Sequence, residues 1–285
     1  MEISKNKLYY QYIQNLRLID DTFARVVFKN KDCVELLIQI LFDDEELRVI
    51  HFYTQYEFKN IGGRSITVDL YVEDSKGRHI NIEFQKDKKG ASIKRARYHE
   101  SMMDGHISFP REKWKEIPEV YVFFITEEDI FGYGKSKYKV ERKIEEVNES
   151  FQDDEHIVYI NGENIKEEKL GYLMHDLKCK EAKDMHYEVL AREVRHYKES
   201  EEGIQEMCEI SRKIREDGEK EGISKGIKQG MSIGMNKGRR QGISKGKAKM
   251  RKEIVENMVK SGKFSYEDIS LVTGMKMTDI ITLCN

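Results

Sequence analysis

The spacing of apolar residues changes period several times along the first two hundred positions. Asp32 to Phe42 (DCVELLIQILF) repeats apolar residues at helical spacing, with Asp32 placed to cap its start. Arg48 to Phe58, Ser65 to Glu73 (SITVDLYVE) and Arg78 to Gln85 (RHINIEFQ) have strand character, the last two with clean alternation. The link between them, Asp74-Ser75-Lys76-Gly77, is turn chemistry and predicts an antiparallel hairpin. Ala91 to His106 returns to a helical and basic pattern. Val120 to Thr126 (VYVFFIT) is a continuous apolar run, the signature of a strand buried on both faces. The stretch from Phe131 to Gly162 reads as less regular, with one strand at His156 to Ile160. Helices are expected at Glu167 to Leu177 and Glu181 to Lys198. Antiparallel strands followed by a helical crossover predict an α/β fold: a mixed β-sheet flanked by helices.

The hairpin gathers acidic chemistry. Strict alternation would put Ile66, Val68, Leu70 and Val72 on one face of the second strand, and Thr67, Asp69, Tyr71 and Glu73 on the other. In the third strand Asn81, Glu83 and Gln85 share a face. A hairpin closing symmetrically about Lys76 places Asp69 opposite Glu83, with Cβ atoms about 4.5–5.5 Å apart. Two carboxylates so placed repel each other unless a cation lies between them. Magnesium takes hard oxygen ligands, commonly one or two carboxylates with waters and substrate phosphate. The alternative is a pair of ordinary residues on a solvated sheet face, in a register that slips by a residue or two.

Composition narrows the class. Of 285 residues, 39% are hydrophobic and 36% charged, enough for a core beneath a heavily charged surface. The net charge of −2 means that any attraction for a polyanion must come from local clusters. Cys33, Cys179, Cys208 and Cys284 are scattered, which points to reduced thiols rather than a zinc site or disulfide framework. The eight histidines show no metal-ligand spacing, and none is given a role. No apolar leader and no run of roughly 18 apolar residues is evident, so a soluble cytoplasmic protein without a membrane segment is expected. Pro110 and Pro118, the only prolines, flank the single tryptophan, Trp114, in a turn-like stretch.

Three segments are expected: 1–200 as the main domain, 201–250 as a charged linker with a repeat, and 251–285 as a small helical module. Gly218, Gly222, Gly226, Gly230, Gly234, Gly238, Gly242 and Gly246 recur at every fourth position. Between Gly218 and Lys249 nine Lys/Arg face two Glu. Each interior glycine costs a helix up to about 1 kcal/mol, which argues against an isolated helix there. A basic tether, a small-residue seam for self-association and a bare linker remain open. Beyond it, Arg251 to Ser261 reads as a short helix. Tyr266 to Val272 and Lys276 to Leu283, joined through Thr273-Gly274, read as helix-turn-helix-like.

Several segments together resemble the PD-(D/E)XK nuclease family transposases, the Rpn-type recombination-promoting nucleases. They are Asp20 to Phe23 (DDTF), Glu35 to Leu41 (ELLIQIL), Gln55 to Asn60 (QYEFKN), Gly63 to Tyr71 (GRSITVDLY), Asn81 to Gln85 (NIEFQ) and Lys94 to Tyr98 (KRARY). The resemblance covers roughly Asp20 to Glu199, and the glycine repeat and terminal module are similar too. It implies a restriction-endonuclease-like core and a Mg²⁺-dependent endonuclease, with Mn²⁺ as a substitute, acting on DNA in recombination, transposition or defence. By that resemblance Asp69, Glu83 and the Phe84 carbonyl ligate the metal. Gln85 stands where the wider superfamily has lysine, and glutamine is common there in the nearer family. Glutamine orients a water or phosphate oxygen but brings no charge. Charge for the transition state would come from a second metal, Lys86, Arg95 or Arg97. An early-helix acid often adds a ligand, and Asp21 is preferred to Asp20, Glu35 or Glu57. Helix capping is the competing role for Asp20 and Asp21. Lys94, Arg95, Arg97 and Tyr98, directly after the catalytic strand, would contact phosphates, or else form a solvated helix face. The competing reading of the whole chain is a DNA-binding or oligomerising scaffold that kept the fold and lost cleavage.

Overall fold

The computed structural model describes residues 2–163 and 168–284. The chain divides into two compact units, 1–212 and 213–285.

The first unit opens with three helices, α1 (Glu2–Asn15), α2 (Asp21–Val27) and α3 (Lys31–Phe42). The cap of α3 is Asn30 rather than the expected Asp32: its side chain accepts the Asp32 N–H at 2.8 Å. Asp32 comes too late to cap, since the helix already turns at Lys31. Then come β1 (Val49–Phe58), β2 (Ile66–Asp74), β3 (His79–Gln85), α4 (Ile93–Ile107) and β4 (Val120–Thr126). The edge strand β5 (Lys137–Val140) and a minor ribbon, β6 (Lys143–Ile144) with β7 (Glu149–Ser150), occupy the stretch expected to be irregular. β8 (Glu155–Asn161), α5 (Lys169–Lys178) and α6 (Glu188–Glu199) follow. The helix expected from Glu167 begins at Lys169, and Glu167 itself lies outside the described residues. The helix expected from Glu181 begins at Glu188. A 3₁₀ turn, Ala182–Asp184, precedes it, and Asp176 accepts the His186 and Tyr187 N–H groups at its start.

The sheet order is β1-β2-β3-β4-β8-β5, with β3–β4 and β4–β8 parallel and the other pairs antiparallel. Helix α4 makes the parallel crossover. One face of the sheet packs on α2, α3, α5 and α6 through Phe123, Ile125, Val158 and Ile160. The other packs on α4 through Val122, Phe124, Ile157 and Tyr159. β4 is therefore apolar at consecutive positions because both of its faces are covered.

The β2–β3 turn is organised by Asp74. Its Oδ1 accepts the N–H groups of Lys76 (2.9 Å) and Arg78 (3.0 Å), and Gly77 takes a φ of +75°. The ladder runs from Glu73↔His79 to Leu70↔Ile82. One further step in that register sets Asp69 opposite Glu83.

β2 departs from the strict alternation expected of it. Leu70 and Val72 pack on the α2–α3 face, but Ile66 and Val68 pack with Tyr71 on the α4 face. The phase slips at Asp69. Opposite it in β1, between the pairs Thr54↔Leu70 and Tyr56↔Val68, Gln55 has a φ of +55°. A left-handed residue cannot carry an extended strand through in phase, so both strands are distorted at one level.

Helix α7 spans Glu201–Ser261, and its residues are shared between the two units. The glycine repeat, expected to resist helix formation, lies inside this single 61-residue helix. Each glycine is separated from the next by three residues that form helices better, there is no proline, and pairs such as Glu221–Lys225 (2.6 Å) add support. In the second unit α8 (Tyr266–Thr273) begins with a Ser265–Asp268 capping box and ends at left-handed Gly274. With α9 (Met277–Cys284) it closes a small core of Val255, Ile269 and Ile280. Among the described residues no helix is long and apolar enough to cross a membrane.

Candidate active site

The site lies where β2 and β3 part. Phe84 would next pair with β2 backbone, but its N–H instead donates to Asp69 Oδ2 at 3.0 Å. N–H and C=O of one strand residue point to the same edge, so the Phe84 carbonyl also faces β2. The Asp69 carboxylate is thus fixed beside an amide donor and a carbonyl acceptor.

Glu83 is fully buried on the α4 face. Its Oε2 accepts from Arg95 Nη2 at 2.7 Å, and Arg95 is held in turn by the Gly90 carbonyl at 2.7 Å. Its Oε1 is buried without a hydrogen bond. His99 Nδ1 lies 3.4 Å from that oxygen, but Asn81 is closer to the same nitrogen, at 3.0 Å. A buried carboxylate oxygen in this condition costs folding free energy. Asp69 shows the same tension. Burial first, then the charge of Glu83, push its pKa up to about 7. The Phe84 N–H and Gln55 pull it back down, and Asp21 adds a smaller push upwards.

Asp21, at the start of α2, joins this group through Gln55, whose Nε2 donates to Asp21 Oδ1 (3.1 Å) and Asp69 Oδ1 (3.2 Å). Asp20 turns away: its Oδ2 accepts the Arg17 N–H at 2.8 Å rather than an N–H of α2. It also pairs with Lys86 Nζ. Glu35 belongs to the β1 entry, accepting the Val49 N–H at 3.1 Å, and Glu57 pairs with Lys59. Asp69, Glu83 and Asp21 thus converge on one end of the sheet, while Asp20 is held nearby by Arg17 and Lys86, and Glu35 and Glu57 are engaged elsewhere.

A family model, the PD-(D/E)XK nuclease family transposases, matches residues 21–223. The chain belongs to this family. No curated protein matches the chain, and no solved structure does. The mixed six-stranded sheet flanked by helices fits the α/β architecture of such a nuclease.

The remaining family-implied positions of this PD-(D/E)XK chain fall in two clefts. The Gln85 side chain packs on Gly90, where any Cβ would meet its Oε1 at 1.9 Å. A glycine is required there for as long as Gln85 keeps this rotamer. Gln85 and Lys86 line a cleft of about 470 Å³ with Asp20 and Asp21. Lys94, Arg95, Arg97 and Tyr98 line a second, larger groove of about 810 Å³, joined by Arg64 and Lys89. Within it Lys94 and Arg97 are exposed, whereas Arg95 is turned onto Glu83. The Tyr98 hydroxyl donates to the Arg64 carbonyl (2.5 Å) and accepts from Asn60 (3.2 Å), tying α4 to the β1–β2 loop.

Sequence reasoning missed Gln55, Arg25 and His99. Gln55 stands at the head of the QYEFKN segment, but nothing in a strand-like stretch signals a left-handed residue. The histidines lack metal-ligand spacing along the chain, yet His99 abuts Glu83. His175, Asp176 and Cys179 also bring their donor atoms within 4.8 Å of one another. Asp176 is occupied there by the amides that start α6, and burial, then Asp176 and Asp184, push the Cys179 thiol up to about 11.

Proposed function

We propose that this protein is a Mg²⁺-dependent DNA endonuclease. Asp69, Glu83 and the Phe84 carbonyl would hold the ion, and Asp21 would add a further carboxylate. The observation that carries the reading is the state of the carboxylate pair. Glu83 keeps a buried oxygen without a hydrogen bond, and Asp69 is driven towards protonation by burial and by Glu83. Both penalties would be relieved by a divalent cation at this point. The donors are hard oxygens, which suits Mg²⁺, with Mn²⁺ as a substitute.

When bound, such an ion polarises a phosphate and lowers the pKa of a coordinated water. The chain's own groups do the rest. The Phe84 N–H holds Asp69 in one orientation, and Arg95 balances the charge of Glu83. Gln85 orients a water or phosphate oxygen without adding charge. Arg95, held by Glu83, and Lys86, held by Asp20, are the positive groups close to the carboxylates, and either would meet the developing charge on phosphate by exchanging that partner. The groove bearing Arg64, Lys89, Lys94 and Arg97 would track the phosphate backbone. The lysines and arginines of α7 would add sequence-independent, salt-sensitive affinity. Recombination, transposition or defence against foreign DNA in the cytoplasm is the setting this chemistry fits. Self-association through the C-terminal region is consistent with exposed Leu271 and Val272, and would be lost on deleting residues 203–285.

A second reading has one observation in its favour. The Arg95 guanidinium already pairs with Glu83, as it would in a DNA-binding protein that had lost cleavage. Incubating labelled duplex DNA with the protein separates the two. Cleavage that needs Mg²⁺ and stops in EDTA supports the nuclease. Binding without cleavage, in Mg²⁺ or Mn²⁺, supports the scaffold.

A further inference from the structure

Gln55 is the one residue of β1 with a positive φ, at +55°, although its neighbours Thr54 and Tyr56 both pair with β2. A non-glycine residue held there is strained and persists only where its surroundings over-determine it. The side chain accounts for the constraint. Nε2 donates to Asp21 Oδ1 at 3.1 Å and to Asp69 Oδ1 at 3.2 Å. Oε1 accepts from Arg25 Nη2 at 2.9 Å, and Arg25 closes the ring by reaching Asp21 Oδ2 at 3.2 Å. One neutral carboxamide therefore keeps two like-charged groups, from different elements, within reach of each other.

The backbone break and the side-chain bridge belong together. Gln55 lies opposite Asp69 in the register, at the level where β2 also loses its alternation. An extended residue at position 55 would direct its side chain according to the strand's period. The left-handed turn instead delivers the carboxamide between α2 and β2. Contacts made for stability alone would not need to gather carboxylates around a strained backbone.

We infer that Gln55 is a positioning residue of the cation site, fixing Asp69 and Asp21 relative to each other through its carboxamide. This rests on the reading of the site as cation-dependent. Groups that orient metal ligands from behind typically contribute about 10–100-fold to metal affinity.

Calorimetric titration of the full chain with Mn²⁺, without nucleic acid, tests the inference. The proteins are native, Asp69→Ala, Gln55→Gly and Gln55→Glu, each with its urea unfolding midpoint. Gln55→Gly keeps the left-handed backbone without strain and removes only the side chain. It is expected to bind Mn²⁺ about 10–100-fold more weakly, with an unfolding midpoint no lower than native. Gln55→Glu keeps the shape but loses both N–H donations, to Asp21 and to Asp69, so it too is expected to bind Mn²⁺ more weakly than native, although it adds a negative charge near the ion. Weakening in both variants, despite the extra negative charge of Gln55→Glu and with unfolding midpoints retained, is the signature of positioning, which a merely structural residue would not give. Native-like Mn²⁺ affinity in Gln55→Gly, with binding lost in Asp69→Ala, would overturn this inference and leave the cation site standing. Binding by Gln55→Glu as tight as native or tighter would overturn it too, since added charge rather than the carboxamide would then govern affinity. Failure of the native protein to bind Mn²⁺ would remove the cation site itself, and the inference with it.

Discussion

Asp69 Oδ2 accepts the backbone N–H of Phe84 at 3.0 Å, the amide that would otherwise extend the β2–β3 ladder. That single bond parts the two strands and holds a carboxylate in the gap. It also makes Asp69 a liability for stability. Its pKa is about 7 in the folded chain, raised by burial and then by Glu83, and about 3.9 when unfolded. Between those values the folded state keeps a proton that the unfolded state has released. Stability of the metal-free protein therefore falls as pH rises from about 4 to about 7, by roughly 1.4 kcal/mol for each pH unit crossed. Asp69→Asn removes the penalty while its amide oxygen still accepts from Phe84. Urea unfolding should show the variant more stable than native by a few kcal/mol at pH 8, with the gain gone at pH 4. A variant less stable at pH 8 would contradict this origin of the strain.

Glu83 and Arg95 form a pair in which the carboxylate is wholly buried and the guanidinium partly exposed. Removing the cation side alone strands a buried charge, which costs about 3–5 kcal/mol. Arg95→Ala is expected to lose stability in that range without metal, and Arg95→Ala with Glu83→Gln to lose markedly less. Additive losses in the double-mutant cycle would mean that the two groups do not interact.

The hairpin was legible because its rules are local. Asp74 to Gly77 spell a turn, alternation fixes the strands, and the resulting register sets Asp69 against Glu83. The apolar run Val120–Thr126 likewise declared a buried strand. What stayed hidden depends on partners far along the chain. β5, a four-residue edge strand reading Lys-Tyr-Lys-Val, carries the charges that edges carry, so its sequence looks like loop. The slip of phase at Asp69 arises from pairing with left-handed Gln55, which the sequence of β2 does not contain. The turning of Arg95 onto Glu83 depends on how α4 docks on the sheet. The glycines of α7 obscured a helix because their cost is plain in the sequence and the support between them is diffuse.

Arg64, Lys94 and Arg97 line the groove beside the site. If they meet phosphates, each neutral substitution lowers the slope of log affinity against log salt by about 0.9 on duplex DNA. Binding of a short duplex across a salt series, by Arg97→Gln and by Arg64→Gln with Lys94→Gln, measures this. An unchanged slope would remove the groove from the nucleic-acid path.

Apart from its chain neighbours and the backbone of its own helix turns, no atom lies within 4 Å of where a Cβ would stand at any of the eight repeat glycines. Gly226→Ala and Gly234→Ala are therefore expected to stabilise α7 by up to about 1 kcal/mol each, and to raise the helical circular dichroism on heating. Loss of helicity or of stability would mean that these glycines make a close contact with another molecule.

The measurement closest to the central claim is cleavage of supercoiled plasmid by the native chain, Asp69→Asn and Glu83→Gln. Each would be run with Mg²⁺ and with EDTA, and folding checked by circular dichroism. A metal-dependent site at this carboxylate pair predicts nicked or linear product from the native protein in Mg²⁺ alone, and a loss of at least about 100-fold in both folded variants. Cleavage that persists in either variant or in EDTA would show that Asp69 and Glu83 are not the hydrolytic centre.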